Sequence, residues 1–68
     1  MSKADEMFKE AGYSKKQETG FIVSYYVPGN WNRIYFYKKI QKIDLTEKIS
    51  VKALQAINEK VKELGWNE

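Results

Sequence analysis

Two runs rich in β-branched and aromatic residues, one over 21–27 and one ending at Tyr37, are separated by the break Pro28-Gly29-Asn30. Such runs around a turn-forming break read as a β-hairpin, and every other segment must be arranged around it. Loop length sets its parity. A two-residue loop pairs Val23 with Ile34, and a four-residue loop pairs Val23 with Phe36 and Tyr25 with Ile34. Both gather Phe21, Val23, Tyr25, Ile34 and Phe36 on one face, whereas a three-residue loop scatters them. Pro-Gly does not suit the usual primed two-residue turn, which favours the four-residue loop. A third, weaker strand is predicted over 40–45. If Lys38-Lys39 forms a two-residue turn before it, Ile43 and Leu45 join the apolar face. Residues 13–18 read either as an edge strand protected by Lys15 and Lys16 or as a loop.

Helices are predicted at both ends. Near the start, Ala4, Met7, Phe8 and Ala11 recur at helical spacing, Asp5 and Glu6 suit the positive end of the helix dipole, and Gly12 follows as a C′ glycine. Near the end, Ser50 is a good N-cap and Val51, Leu54, Ile57, Val61 and Leu64 form an apolar stripe. Gly65 closes that helix, and Trp66 is placed to fold back on its last turn. Lys52, Gln55, Glu59, Lys62 and Glu63 read as its solvated side. The predicted fold is a single α+β domain over 1–68: a short N-terminal helix, an antiparallel β-meander of three strands (four if 13–18 is a strand), and a C-terminal amphipathic helix packed on one sheet face.

A domain of 68 residues has little stability to spare, and one without Cys or His lacks the usual disulfide and zinc staples. The same absence removes Ser-His-Asp triads, thiol nucleophiles and conventional zinc sites. The carboxylates are dispersed, and the glycines fall singly at element boundaries instead of forming a phosphate loop. The expectation is therefore a protein that is not an enzyme and has no cofactor and no metal. No apolar run approaches the length of a membrane span, and no leader pattern follows Met1, so the expected location is cytoplasmic. Twelve basic residues against nine acidic give a net charge of +3, a mild bias toward anionic partners.

Seven of the ten aromatics lie within 21–37, more than so small a core can absorb. The second hairpin face is predicted to carry Ile22, Tyr26, Arg33, Tyr35, Tyr37 and Ile40, with Trp31 in or beside the loop. Tyr, Trp and Arg are the residue types enriched at interface hot spots, so Tyr26, Trp31, Arg33, Tyr35 and Tyr37 are the candidate partner-binding residues. The same residues suit base stacking in single-stranded nucleic acid. Two structural readings compete: cross-strand pairing of the tyrosines with an Arg33–Asp44 ion pair, or burial of this face beneath the first helix.

The run from Ile49 through Ser50-Val51-Lys52-Ala53-Leu54 to Val61-Lys62-Glu63-Leu64-Gly65-Trp66 resembles the ending of a loose group of small proteins encoded by phages and mobile elements of Gram-positive bacteria. Ala4-Asp5-Glu6-Met7-Phe8 and Ala11-Gly12-Tyr13 are similar to their start. The two ends cover just under half of the chain. The middle departs, being aromatic and basic where that group has an acidic meander, and no site residues carry over. The resemblance implies a phage accessory protein that binds a host or phage protein, with inhibition of a host defence enzyme such as a CRISPR nuclease among the expected roles. Nucleic-acid binding through the aromatic, basic sheet face is the alternative, with Lys15, Lys16, Lys38, Lys39 and Lys42 ringing the sheet. Self-association through the sheet faces is a third expectation.

Overall fold

A computed structural model describes residues 2–66. The order is α1 (Lys3–Glu10), β1 (Ser14–Glu18), β2 (Ile22–Tyr26), β3 (Arg33–Tyr37), β4 (Lys42–Leu45) and α2 (Val51–Glu63). The four strands form one antiparallel meander in sequence order. The segment after α1 is therefore an edge strand, with a bulge between Lys15 and Gln17.

Both helices close with the same device. Gly12 (φ 95°) and Gly65 (φ 77°) occupy the left-handed region that glycine adopts without a Cβ penalty. The following amides, of Tyr13 and Trp66, bond back to the carbonyls of Phe8 and Val61. Each of these aromatics then packs inward, Tyr13 edge-on to Phe8 and Trp66 against Phe36. At the N-termini, the Ser2 and Ser50 hydroxyls accept the amides of Asp5 and Ala53.

In the first hairpin, Val23 pairs with Phe36 and Tyr25 with Ile34, the register of the four-residue loop. All four side chains are buried in one core. Phe8 stacks on Tyr25 with ring centroids 3.9 Å apart and meets Phe36 edge-on. Ala53, Ala56 and Ile57 of α2 join the same cluster. Both helices thus lie on one side of the sheet.

Five sequence expectations are corrected. Phe21 lies outside the core, one residue before β2, with its ring beneath the Lys39 ammonium. The second hairpin turns through residues 38–41 with Gln41 at φ 56°. Ile43 and Leu45 keep the expected face but pair with Phe36 and Ile34, and Ile40 is exposed in the turn instead of in a strand. α2 is rotated from the expected stripe: Ala53, Ala56, Ile57 and Lys60 are buried, while Leu54 is 46% exposed and Val51 is exposed. The rotation follows from α1, which packs beside α2 and is approached most closely by small side chains. Glu63, expected in solvent, accepts the Ser2 hydroxyl (2.6 Å) and the Ala4 amide (2.9 Å), so α2 supplies a cap to α1.

A polar clamp ties α1 to the sheet and to α2. Asp5 accepts the buried Tyr25 hydroxyl at 2.5 Å, pairs with Lys15 at 2.8 Å, and lies 3.9 Å from Lys60, whose side chain is also buried. Burial raises the Asp5 carboxyl, but bonds from Lys15 and Tyr25 and the charges of Lys15 and Lys60 outweigh it and hold it below its ordinary pKa. Lys15 also bridges to Glu18, whose carboxyl is lowered chiefly by that bond.

Candidate functional site

Strand alternation assigns the side of the sheet away from the helices. Ile22, Ser24 and Tyr26 of β2, Arg33, Tyr35 and Tyr37 of β3, and Lys42 and Asp44 of β4 share it. α1 does not cover this face, because Phe8 packs on Tyr25 from the opposite side. The structure brings four of the five predicted contact residues, Tyr26, Arg33, Tyr35 and Tyr37, onto one surface, and places Trp31 at its end.

Within this surface the residues form two groups. Arg33 and Tyr26 are direct cross-strand partners, and the guanidinium lies 5.5 Å from the Tyr26 ring centre and 5.8 Å from that of Trp31. These distances are within cation–π range. Arg33 Nη1 donates to the Asn30 and Asn32 carbonyls at 3.0 Å each, so the loop holds the head group in place. The loop is braced in turn. Asn30 Oδ1 accepts the Asn32 amide at 2.8 Å, and Thr46 Oγ1 accepts the Arg33 amide and donates to the Trp31 carbonyl. Trp31 nevertheless stays 83% exposed. Gly29, Asn30, Trp31 and Arg33 line an open cleft of ≈ 250 Å³. The second group is the stacked pair Tyr35 and Tyr37, with ring centres 6.3 Å apart and planes at 17°.

Arg33 makes no ion pair among the described residues, so the expected Arg33–Asp44 bridge is not formed. Register explains it: Asp44 stands opposite Tyr35, and Arg33 bonds with Thr46. Ser24, at the middle of this side and opposite Tyr35, was not singled out in the sequence. Its hydroxyl is fully buried and has no hydrogen-bond partner among the described residues. A small polar residue in an alternating strand gives no warning of that.

The charge distribution adds a further constraint. Lys15, Lys16, Arg33, Lys38, Lys39 and Lys42 against Glu18 and Asp44 place the chain's whole positive excess in the sheet and its turns. It is not a continuous stripe. Lys15 and Lys38 are paired with acids on the helix side, and Asp44 interrupts the outer face. Among the described residues no cluster of three or more metal-ligating side chains occurs, and no helix is long and apolar enough to cross a membrane. No protein-family model, curated protein or solved structure matches this chain.

Proposed function

We propose that this chain is a protein-interaction module that binds its partner through the outer face of the sheet. The one-sided layering carries the reading: both helices cover the same face, leaving Tyr26, Trp31, Arg33, Tyr35 and Tyr37 uncovered on the other. Aromatic rings and a guanidinium already held in place lose little side-chain entropy on binding, which favours their use as anchors. The cleft between Trp31 and Arg33 is sized for a single partner side chain. The resemblance of both ends to small phage and mobile-element proteins supports a host macromolecule as the partner, a defence enzyme included.

Single-stranded nucleic acid is the competing reading, favoured by the exposed Trp31 ring beside Arg33. Asp44 weighs against it, because a carboxylate within the face repels a phosphate backbone.

The test uses Trp31→Ala, Arg33→Ala and Tyr35→Ala in a pull-down from host lysate with nuclease added. Capture of a protein that all three variants lose, at unchanged melting temperature, supports the reading. Binding retained in all three removes it. A large drop in melting temperature for Tyr35→Ala means that this ring serves the fold. Oligonucleotide binding that survives nuclease-free capture and falls with salt by roughly 0.7 log units per phosphate contacted per log unit of salt favours the competing reading.

A further inference from the structure

The two edges of the sheet are built differently. β1 carries Lys15, Lys16 and a bulge, devices that discourage pairing with another strand. β4 carries neither bulge nor proline, and its helix-side residues Ile43 and Leu45 are 37% and 41% exposed. On α2, Leu54 is a second half-exposed apolar residue on the helix side. Lys60 and Glu63 turn toward α1, and Leu54 stands ~180° round the helix from Glu63, on the side away from α1.

The hydrogen-bond pattern shows which β4 groups are free to pair. The Thr46 amide bonds to the Arg33 carbonyl, so the even-numbered residues of β4 direct their amides and carbonyls at β3. Those of Ile43 and Leu45 point away from the sheet.

From these features we infer that β4 pairs antiparallel with β4 of a second copy, joining the two four-stranded sheets into one. Two-fold symmetry restricts the register. Placing Ile43 opposite its own copy lets the two exchange both free backbone bonds. That register also sets Lys42 opposite Asp44 of the second copy, twice, on the outer face. These positions are non-hydrogen-bonded pairs, where side chains approach most closely. The next register with the same faces sets Asp44 against Asp44 at the centre, and like charges there oppose it. The two Ile43 side chains then cover one another on the helix side.

Sedimentation equilibrium across a concentration series tests the inference, with circular dichroism confirming the fold of each variant. The wild type is expected to dimerise with concentration. Ile43→Lys is expected to abolish dimerisation. Lys42→Asp and Asp44→Lys are each expected to weaken it by roughly tenfold or more, since each turns two attractive pairs repulsive. The double reversal Lys42→Asp/Asp44→Lys is expected to restore it, because the pairs re-form with roles exchanged. A wild type that remains monomeric throughout overturns the inference. So does a dimer that withstands Ile43→Lys, or single reversals that leave association unchanged. Ile43→Lys lies on the helix side of β4, away from Trp31, Arg33 and Tyr35, so a failure to dimerise leaves the outer-face reading standing.

Discussion

Removing the Asp5 carboxylate strands several partners at once. In Asp5→Ala, the Tyr25 hydroxyl is left buried without an acceptor, which costs about 1–3 kcal/mol. Lys15, about one-third exposed and still able to reach Glu18, loses a bridge worth about 0–1 kcal/mol. Lys60 keeps only Glu63, at 4.0 Å. The expected total is about 2–4 kcal/mol, a large fraction of what so small a domain has. At about 4–8 °C per kcal/mol this is a fall in melting temperature of roughly 10–30 °C. Asp5→Asn keeps an acceptor for Tyr25 and should recover about half of the loss. Urea denaturation at pH 7 followed by circular dichroism measures both. A double-mutant cycle isolates the hydroxyl: in a Tyr25→Phe background, Asp5→Ala should cost about 1 kcal/mol less, because no orphan remains. Asp5→Ala within about 0.5 kcal/mol of wild type would refute the clamp. Acid is the second probe. The folded-state pKa of Asp5 lies below its unfolded value, as do those of Glu18 and Glu63. The folded state therefore binds fewer protons, and the stabilisation is complete above the ordinary carboxylate range near about pH 4 and lost as pH falls below it. Asp5→Ala should flatten that acid limb.

Ile57→Ala and Leu54→Ala should separate clearly. Ile57 is 5% exposed and its truncation should cost about 2–5 kcal/mol, whereas half-exposed Leu54 should cost about 1 kcal/mol or less. Equal midpoint shifts in urea would mean that the helix rotation described above is wrong. Ser24→Ala removes a buried hydroxyl that has no partner and should leave stability unchanged or raise it by about 1 kcal/mol; a clear loss would show that the hydroxyl is bonded in solution. At high pH, burial first and then the bond to Asp5 raise the Tyr25 pKa far above its ordinary value. The folded state holds that proton when the unfolded state has released it, so stability should fall above about pH 10, and Tyr25→Phe should lessen the slope. A slope identical in the two proteins would contradict the buried hydroxyl.

The first hairpin was legible because its apolar residues make sense in only one parity, and the even loop supplies that parity. Both helix ends were legible because capping is local chemistry, written in Ser50, Gly12, Gly65 and Trp66, whereas the inward packing of Tyr13 was not read. The rotation of α2 was not. Leu54 outweighs Ala53 and Ala56 in any hydrophobic count, yet the neighbouring helix needs a smooth side to approach. Lys60 was hidden for the same reason, since its burial depends on Asp5 and Glu63 arriving from elsewhere. At the second hairpin, two- and four-residue turns share a parity, so the face of Ile43 was readable and its partner was not. For the outer face, strand alternation identified Tyr26, Arg33, Tyr35 and Tyr37 as neighbours. Whether a helix lay over them depended on which side α1 chose, and that choice rests on the contact of Phe8 with Tyr25.

Because only one side of the sheet is packed, the strands contain two kinds of position interleaved residue by residue. At Val23, Tyr25, Ile34 and Phe36, a new side chain must fit among rings that are already touching. At Tyr26, Arg33, Tyr35 and Tyr37, which stay partly exposed, a new side chain meets none of the core rings. The open side can therefore change with less disturbance of the core than the packed side, a separation that suits selection from randomised libraries as much as natural drift. Ser24 marks the limit of that freedom: it belongs by parity to the open side, but neighbouring side chains close over it, and anything larger would have to push them apart.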